Sequence, residues 1–231
     1  MGELVSLTAT DGHRLGAYVA RPEGPAKGGL VVVQEIFGVN AHIRAVTDGF
    51  AKDGYLAVAP ALFDRIRPGI ELGYEADAVA EGRALRPQVS WEATMHDVAA
   101  AMGLAASMRN EGAGKVGVIG YCWGGSVAWL SACRLSPAAA VCYYGGHIHE
   151  FRDEKPACPV MFHFGEEDTG IPLDQAEAVR DAHPDCPFFT YPAGHGFNCD
   201  LRGSYHAESA ALARQRSLDF LAPLLGQSAR A

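Results

Sequence analysis

The sequence predicts an α/β fold, with a mostly parallel central sheet flanked by helices and an antiparallel hairpin at the N-terminal edge. Three observations predict it. Residues 30–33, Leu-Val-Val-Val, form a continuous apolar run suited to a strand buried on both faces, and residues 56–59, 116–120, 139–144 and 160–164 repeat the type. Helical patterns fall between these runs, at about residues 43–53, 91–109, 123–135, 173–182 and 205–221, the alternation that parallel βαβ units of a doubly wound sheet require. Residues 4–10 and 15–20 are short alternating runs joined at the turn dipeptide Asp11-Gly12, so they read as a hairpin.

Taken in order, the hairpin is followed by a Pro/Gly-rich link at 21–29, then by the first buried-type strand and its helix. Residues 65–90, rich in Gly, Glu and Ala, read as an inserted loop or short helix beside the carboxyl edge of the sheet, where sites in such folds gather. Residues 188–191 add a last strand-like run, and 227–231 read as a frayed tail. With 231 residues, 48% hydrophobic and 20% charged, the chain is sized for one domain spanning 1–231.

Composition argues against two classes of partner and is compatible with a small, anionic substrate. A net charge of -8 without a Lys/Arg-rich block argues against a nucleic-acid or anionic-membrane surface. No apolar run approaches the roughly 18–20 residues of a membrane helix and no secretory leader is evident, so a cytoplasmic location is expected. Residues 1–6 match the loose myristoylation pattern but read as the start of a strand. The six cysteines show no C-x-x-C and no metal-like spacing, which fits reduced thiols. Nothing in the sequence sets an oligomeric state.

The chemistry centres on Gly120-Tyr121-Cys122-Trp123-Gly124-Gly125, which follows a buried-type strand and opens a helical pattern. Strand, tight turn and helix are the context of the nucleophile elbow of α/β-hydrolases, here with cysteine in the nucleophile position. A thiol acts as a nucleophile only as thiolate, so Cys122 needs a base and a positive field. His195, between glycines just after the last strand-like run, is the expected base. An acid should fix its tautomer, and 165–172 follow a buried-type strand with Asp168 as the choice and Glu167 as the alternative. The order Cys122, Asp168, His195 is that of the α/β-hydrolase triad.

The oxyanion hole is expected from the backbone amides of Trp123 and of Ile36, in the Gln34-Glu35-Ile36-Phe37-Gly38 loop after the first central strand. Glu35 is placed to emerge into the site. His147 and His149 hint at a metal pair without an evident third ligand, and Gly112-Ala113-Gly114-Lys115 resembles a phosphate loop but precedes a strand; neither is expected to bind, and no metal or cofactor is expected.

Together these residues resemble the dienelactone hydrolase family, whose members share the Gln-Glu-Ile-Phe-Gly loop, a Gly-Tyr-Cys-x-Gly-Gly elbow, a Tyr-Tyr-Gly strand end and an Ala-Gly-His-x-Phe turn. Here these stand at 34–38, 120–125, 143–145 and 193–197. The resemblance implies hydrolysis of a lactone or activated enol or aryl ester without a cofactor: Cys122 attacks the carbonyl, the Ile36 and Trp123 amides hold the oxyanion, and water resolves the acyl-enzyme with help from His195. It implies for Glu35 the role of a second acid that engages the resting thiol.

The sequence departs from the family in substrate recognition. Cys199 stands where a carboxylate-binding arginine is expected, and Gly196 replaces a hydroxyl-bearing residue. Arg202, one helical turn later, and Arg83 or Arg86, in the inserted segment, are the available cations; Phe37 and Tyr144 are expected to line the pocket. The alternative function is a reactive-thiol sensor or binding protein on the same fold, without turnover.

Overall fold

The structure is a computed structural model that describes residues 2–108 and 115–226. Eight strands form one sheet in the order β1-β2-β4-β3-β5-β6-β7-β8. β1 (Glu3–Thr8) and β2 (Arg14–Ala20) make the antiparallel hairpin, with β2 also antiparallel to β4. The others run parallel: β3 (Gly29–Val33), β4 (Leu56–Pro60), β5 (Val116–Tyr121), β6 (Ala139–Tyr143), β7 (Val160–Gly165) and β8 (Phe188–Tyr191). Every residue of β3 to β7 is buried, so the sheet is covered on both faces and its strands carry apolar side chains without alternation.

The helices are α1 (Ala41–Lys52), α2 (Ala76–Leu85), α3 (Trp91–Ser107), α4 (Trp123–Arg134), α5 (Leu173–Ala182) and α6 (Ala207–Leu225). Asn40 starts α1 by accepting the Ile43 amide at 3.2 Å, and Ser90 starts α3 by accepting that of Ala93 at 3.1 Å, each satisfying a donor the helix cannot. Inserted residues 65–90 follow a 3-10 turn (Leu62–Arg65) and resolve into a strap along the loop after β3, α2 and a second 3-10 turn (Arg86–Gln88).

Helix α6 runs past the expected stop at Leu221, through Pro223. Leu221 and Leu225 are both buried; at roughly 1.5–3 kcal/mol for each side chain, their burial offsets the roughly 3 kcal/mol an interior proline costs. The phosphate-loop-like residues 112–114 and the tail at 227–231 lie outside the described residues. Among the described residues, no helix is long and apolar enough to cross a membrane.

The chain leaves β3 toward β4 on one side and returns to β5 on the other. Loops after β3 and β5 therefore diverge, opening a crevice at the carboxyl edge, as expected where strand order reverses. Those two loops carry Glu35-Ile36 and Cys122-Trp123.

Candidate active site

The elbow at Cys122 holds a backbone conformation that a side chain rarely adopts, φ 55° and ψ -119°, which costs on the order of 1–3 kcal/mol and persists only when neighbours enforce it. They do so here. The Cys122 amide donates to the Tyr143 carbonyl at 3.0 Å, and its carbonyl accepts from the Gly125 amide at 2.9 Å. The turn is also too tight for side chains: a Cβ on Gly120 would lie 1.8 Å from the Gly124 carbonyl oxygen, and one on Gly124 2.4 Å from that of Val33.

Cys122 Sγ lies 3.1 Å from His195 Nε2, and His195 Nδ1 lies 2.7 Å from Asp168 Oδ2. The other Asp168 oxygen accepts from the amides of Gly170 and Ile171 at 2.8 and 3.0 Å. Two fixed amides hold the carboxylate as an acceptor, so His195 keeps its proton on Nδ1 and turns Nε2 to the sulfur. Asp168 is buried, whereas Glu167, the alternative acid, is exposed. Burial disfavours charge on His195, but the Cys122 thiolate and the Asp168 carboxylate outweigh it and raise the imidazole to about 10. The sulfur and Nε2 are placed to exchange one proton, as a nucleophilic cysteine requires. The loop bearing His195 is tied down by Ser204 Oγ, which donates to the His195 carbonyl at 2.6 Å.

The Ile36 and Trp123 amides donate to no group among the described residues. Gln34 fixes the loop before Ile36: its Oε1 accepts from the Leu62 amide at 3.0 Å and its Nε2 donates to the Glu35 carbonyl at 3.1 Å. From above, α2 packs so closely that a Cβ on Gly82 would lie 2.4 Å from the Ile36 carbonyl oxygen.

Glu35 is 1% exposed and departs from its expected contact. Its carboxylate accepts from Arg202 Nη1 at 3.0 Å and from the Tyr74 hydroxyl at 3.0 Å, and the thiol is engaged by His195 instead. A buried carboxylate takes the nearest charge-assisted donor, and Arg202 supplies one that a thiol cannot match. Tyr74 was not foreseen; it sits on the strap, whose pairing to the loop is made by the Leu72 amide with the Phe37 carbonyl at 2.9 Å and by Asn40 Nδ2 with the Leu72 carbonyl at 3.0 Å. Burial and then Glu35 push the Tyr74 phenol far upward, so it remains a donor.

The cation missing at 199 enters from Arg202. Its guanidinium lies over the Phe37 and Tyr74 rings, 5.7 and 5.8 Å from their centroids. It also crosses the backbone at Gly196: a Cβ there would lie 2.5 Å from Arg202 Nη1 and 2.7 Å from Cζ, on a residue with φ +78°. The two departures from the family pattern are therefore linked, because glycine at 196 clears the path for an arginine three residues beyond Cys199.

Tyr144, with φ 37°, lies edge-on to the His195 ring at 5.2 Å, and its buried hydroxyl lacks a hydrogen-bond partner among the described residues. Phe37 is buried beside Tyr74, with centroids 4.7 Å apart. Arg86 stacks on Trp91 and Trp123, at 4.0 and 5.3 Å, with a buried Nε that has no partner among the described residues. Arg83 is exposed on α2 and makes no ion pair with the described residues of the site. His147 packs edge-on to Trp91 and His149 lies beside Arg152, so the two turn to different neighbours. All six cysteines are free.

The dienelactone hydrolase family model matches residues 15–225. The carboxymethylenebutenolidase of Pseudomonas putida is 36% identical over 229 residues, covering 96% of this chain and 97% of its own. A solved structure from Klebsiella pneumoniae, described as a "Putative Dienelactone Hydrolase", superposes with a TM-score of 0.79 at 30% identity, over 95% of this chain and 99% of that one. The "Dienelactone Hydrolase-like Promiscuous Phospotriesterase P91" from metagenomic libraries shares the fold, with a TM-score of 0.77 at 20% identity over 97% of this chain and 99% of that one. This chain belongs to the dienelactone hydrolase family and is a hydrolase of the ester-bond class.

Proposed function

We propose that the protein opens small lactones or activated enol or aryl esters that carry a carboxylate, with Cys122 as nucleophile, His195 as acid and base, and Asp168 as the group that orients His195. The carrying observation is the Sγ–Nε2 contact of 3.1 Å backed by the Nδ1–carboxylate contact of 2.7 Å, beside two backbone amides without acceptors.

The thiolate attacks the carbonyl carbon; a C–S bond forms and the π pair moves onto oxygen, where the Ile36 and Trp123 amides receive it. Collapse breaks the C–O bond, and the enolate or phenolate leaves, taking the proton from His195 Nε2. Neutral His195 then draws a proton from water, the hydroxide attacks the thioester, and the thiolate departs with imidazolium restored beside it. An enolate leaves readily; an amine would need prior protonation, so thiolate would be expelled first from an amide adduct.

The substrate carboxylate is assigned to Arg202, which it takes in competition with Glu35. Once released, Glu35 is the acid that acts on the thiol, the exchange by which substrate adjusts the nucleophile. A thiol sensor without turnover needs neither the Asp168–His195 pair nor two amides without acceptors, and no observation favours it. The test is a panel of lactones and aryl esters in carboxylated and uncarboxylated pairs, with wild type and Arg202→Gln. The expected result is turnover by wild type and an Arg202→Gln loss of at least about 10-fold confined to carboxylated members, in keeping with a charged hydrogen bond worth roughly 1.5–3 kcal/mol. Equal losses on both members of each pair would overturn the assignment of Arg202, and no turnover of any member by wild type would overturn the substrate class.

A further inference from the structure

One buried group beside Glu35 has no role in this chemistry and a ring nitrogen without a partner among the described residues. His42, in the first turn of α1, is 4% exposed. Its Nδ1 faces Asp200 Oδ1 at 3.1 Å; a carboxylate oxygen only accepts, so Nδ1 carries the proton and Nε2 presents a bare lone pair. That Nε2 is buried and has no hydrogen-bond partner among the described residues. An unsatisfied buried acceptor costs on the order of 1–3 kcal/mol, a cost that a bound cation would relieve.

Its neighbours are of one chemical kind. Cys199 is 0% exposed and Glu35 is 1% exposed, and one ligand atom from each of Glu35, His42 and Cys199 lies within 4.8 Å of the others. An imidazole lone pair, a thiol and a carboxylate are the donor types that zinc takes. Asp200 behind Nδ1 completes the carboxylate–histidine arrangement that orients a ligating imidazole and raises its basicity. Tetrahedral bonds of about 2.0–2.3 Å set ligand atoms about 3.3–3.8 Å apart, so closing the cluster takes shifts of about 1 Å. A cleft between α1 and α6, lined by both His42 and Asp200, offers a way in.

We propose that Glu35, His42 and Cys199 form a binding site for a thiophilic divalent cation of the Zn²⁺ type. Binding is balanced simply: the Cys199 S–H bond breaks, its proton goes to solvent, and the thiolate and the Glu35 carboxylate offset the two positive charges, with neutral His42 as third ligand through Nε2. The cation takes the carboxylate oxygen that Tyr74 now holds, leaving the other with Arg202. Because Glu35 belongs to both sites, and resting on the hydrolytic reading above, occupancy withdraws Glu35 from the nucleophile and slows turnover.

The experiment measures the cation itself, in reduced Cys122→Ala protein, so that the nucleophile is not a competing ligand. Titration with Co²⁺ should give one ion per chain with a thiolate-to-cobalt charge-transfer band, one proton released, and displacement by Zn²⁺. Cys199→Ser should abolish the band, and His42→Gln, which keeps the thiolate, should weaken binding at least about 10-fold, each variant checked for an unchanged circular dichroism spectrum; Asp200→Asn should weaken it on the order of 10- to 100-fold while keeping the band. If one of the first two variants does not fold, the other decides. Absence of the band, its survival in Cys199→Ser, or unchanged affinity in His42→Gln overturns the proposal. Since the protein used lacks its nucleophile, the outcome is independent of whether Cys122 hydrolyses lactones.

Discussion

Asp168→Asn isolates the acid of the proposed triad, and its effect follows from three contacts. The two amides at 2.8 and 3.0 Å from Oδ1 hold a carbonyl oxygen as well as a carboxylate oxygen, so the new side chain is pinned with its NH₂ where Oδ2 stood. That NH₂, 2.7 Å from His195 Nδ1, donates where the carboxylate accepted. Nδ1 must then accept, the proton moves to Nε2, and Nε2–H points at Cys122 Sγ with no lone pair to receive a proton. The charge that favours imidazolium is lost as well. In a serine triad this inversion costs about 10⁴-fold; a thiol needs less help to ionise, so kcat/KM should fall by about 10²- to 10⁴-fold, or roughly 2.7–5.5 kcal/mol at 1.36 kcal/mol per decade. p-Nitrophenyl acetate hydrolysis measures it, with iodoacetamide alkylation of Cys122 falling in parallel at neutral pH. Activity within 10-fold of wild type, in a variant of unchanged fold, would refute the assigned role of Asp168.

Gly196→Ala places a Cβ 2.5 Å from Arg202 Nη1 at a residue with φ +78°; it should lower stability by about 1–2 kcal/mol and raise KM for carboxylated substrates while sparing p-nitrophenyl acetate, as urea melts and paired kinetics will read. His163, between the Tyr191 and Ser217 hydroxyls, is lowered from 6.5 to about 3, by burial first and Arg216 second. Its folded value lies below its unfolded one, so the contribution is complete above about pH 6.5 and falls toward pH 3, by about 3 kcal/mol at pH 4; wild type should lose more stability than His163→Gln between pH 7 and pH 4, and equal losses would contradict it. For His195, raised to about 10 against the opposition of burial, the sign reverses. Its contribution is complete below about pH 6.5 and is lost as pH rises through about 10, so between those values the thermal midpoint of wild type should fall more steeply than that of His195→Gln.

The sheet was legible because its physics is local: residues 30–33, 116–120 and 139–144 are apolar at every position, which a strand covered on both faces requires, and Asp11-Gly12 marks a hairpin. The elbow and the Asp168 loop were legible because each follows such a strand, and the His195 loop because it follows the half-buried run Phe188–Tyr191. What escaped depends on distant parts of the chain. Tyr74 comes from a strap with neither periodicity nor motif, and only its pairing to Phe37 and Asn40 brings it to Glu35. The Glu35 contact itself is a competition among buried donors, decided by where Arg202 lies, and that depends on the space left by Gly196. The extension of α6 past Pro223 rests on a core partner for Leu225 that no helical rule encodes.

Trapping the acyl-enzyme is the most direct measurement of the central claim. Wild type, Cys122→Ala and His195→Ala are mixed rapidly with p-nitrophenyl acetate, the p-nitrophenolate burst is followed, and the acid-quenched protein is mapped by mass spectrometry. The prediction is a burst approaching one equivalent with acetyl on Cys122 in wild type, and neither burst nor adduct in Cys122→Ala or His195→Ala. Turnover that persists in Cys122→Ala, or acetyl found on another residue while Cys122 stays unmodified, would contradict it.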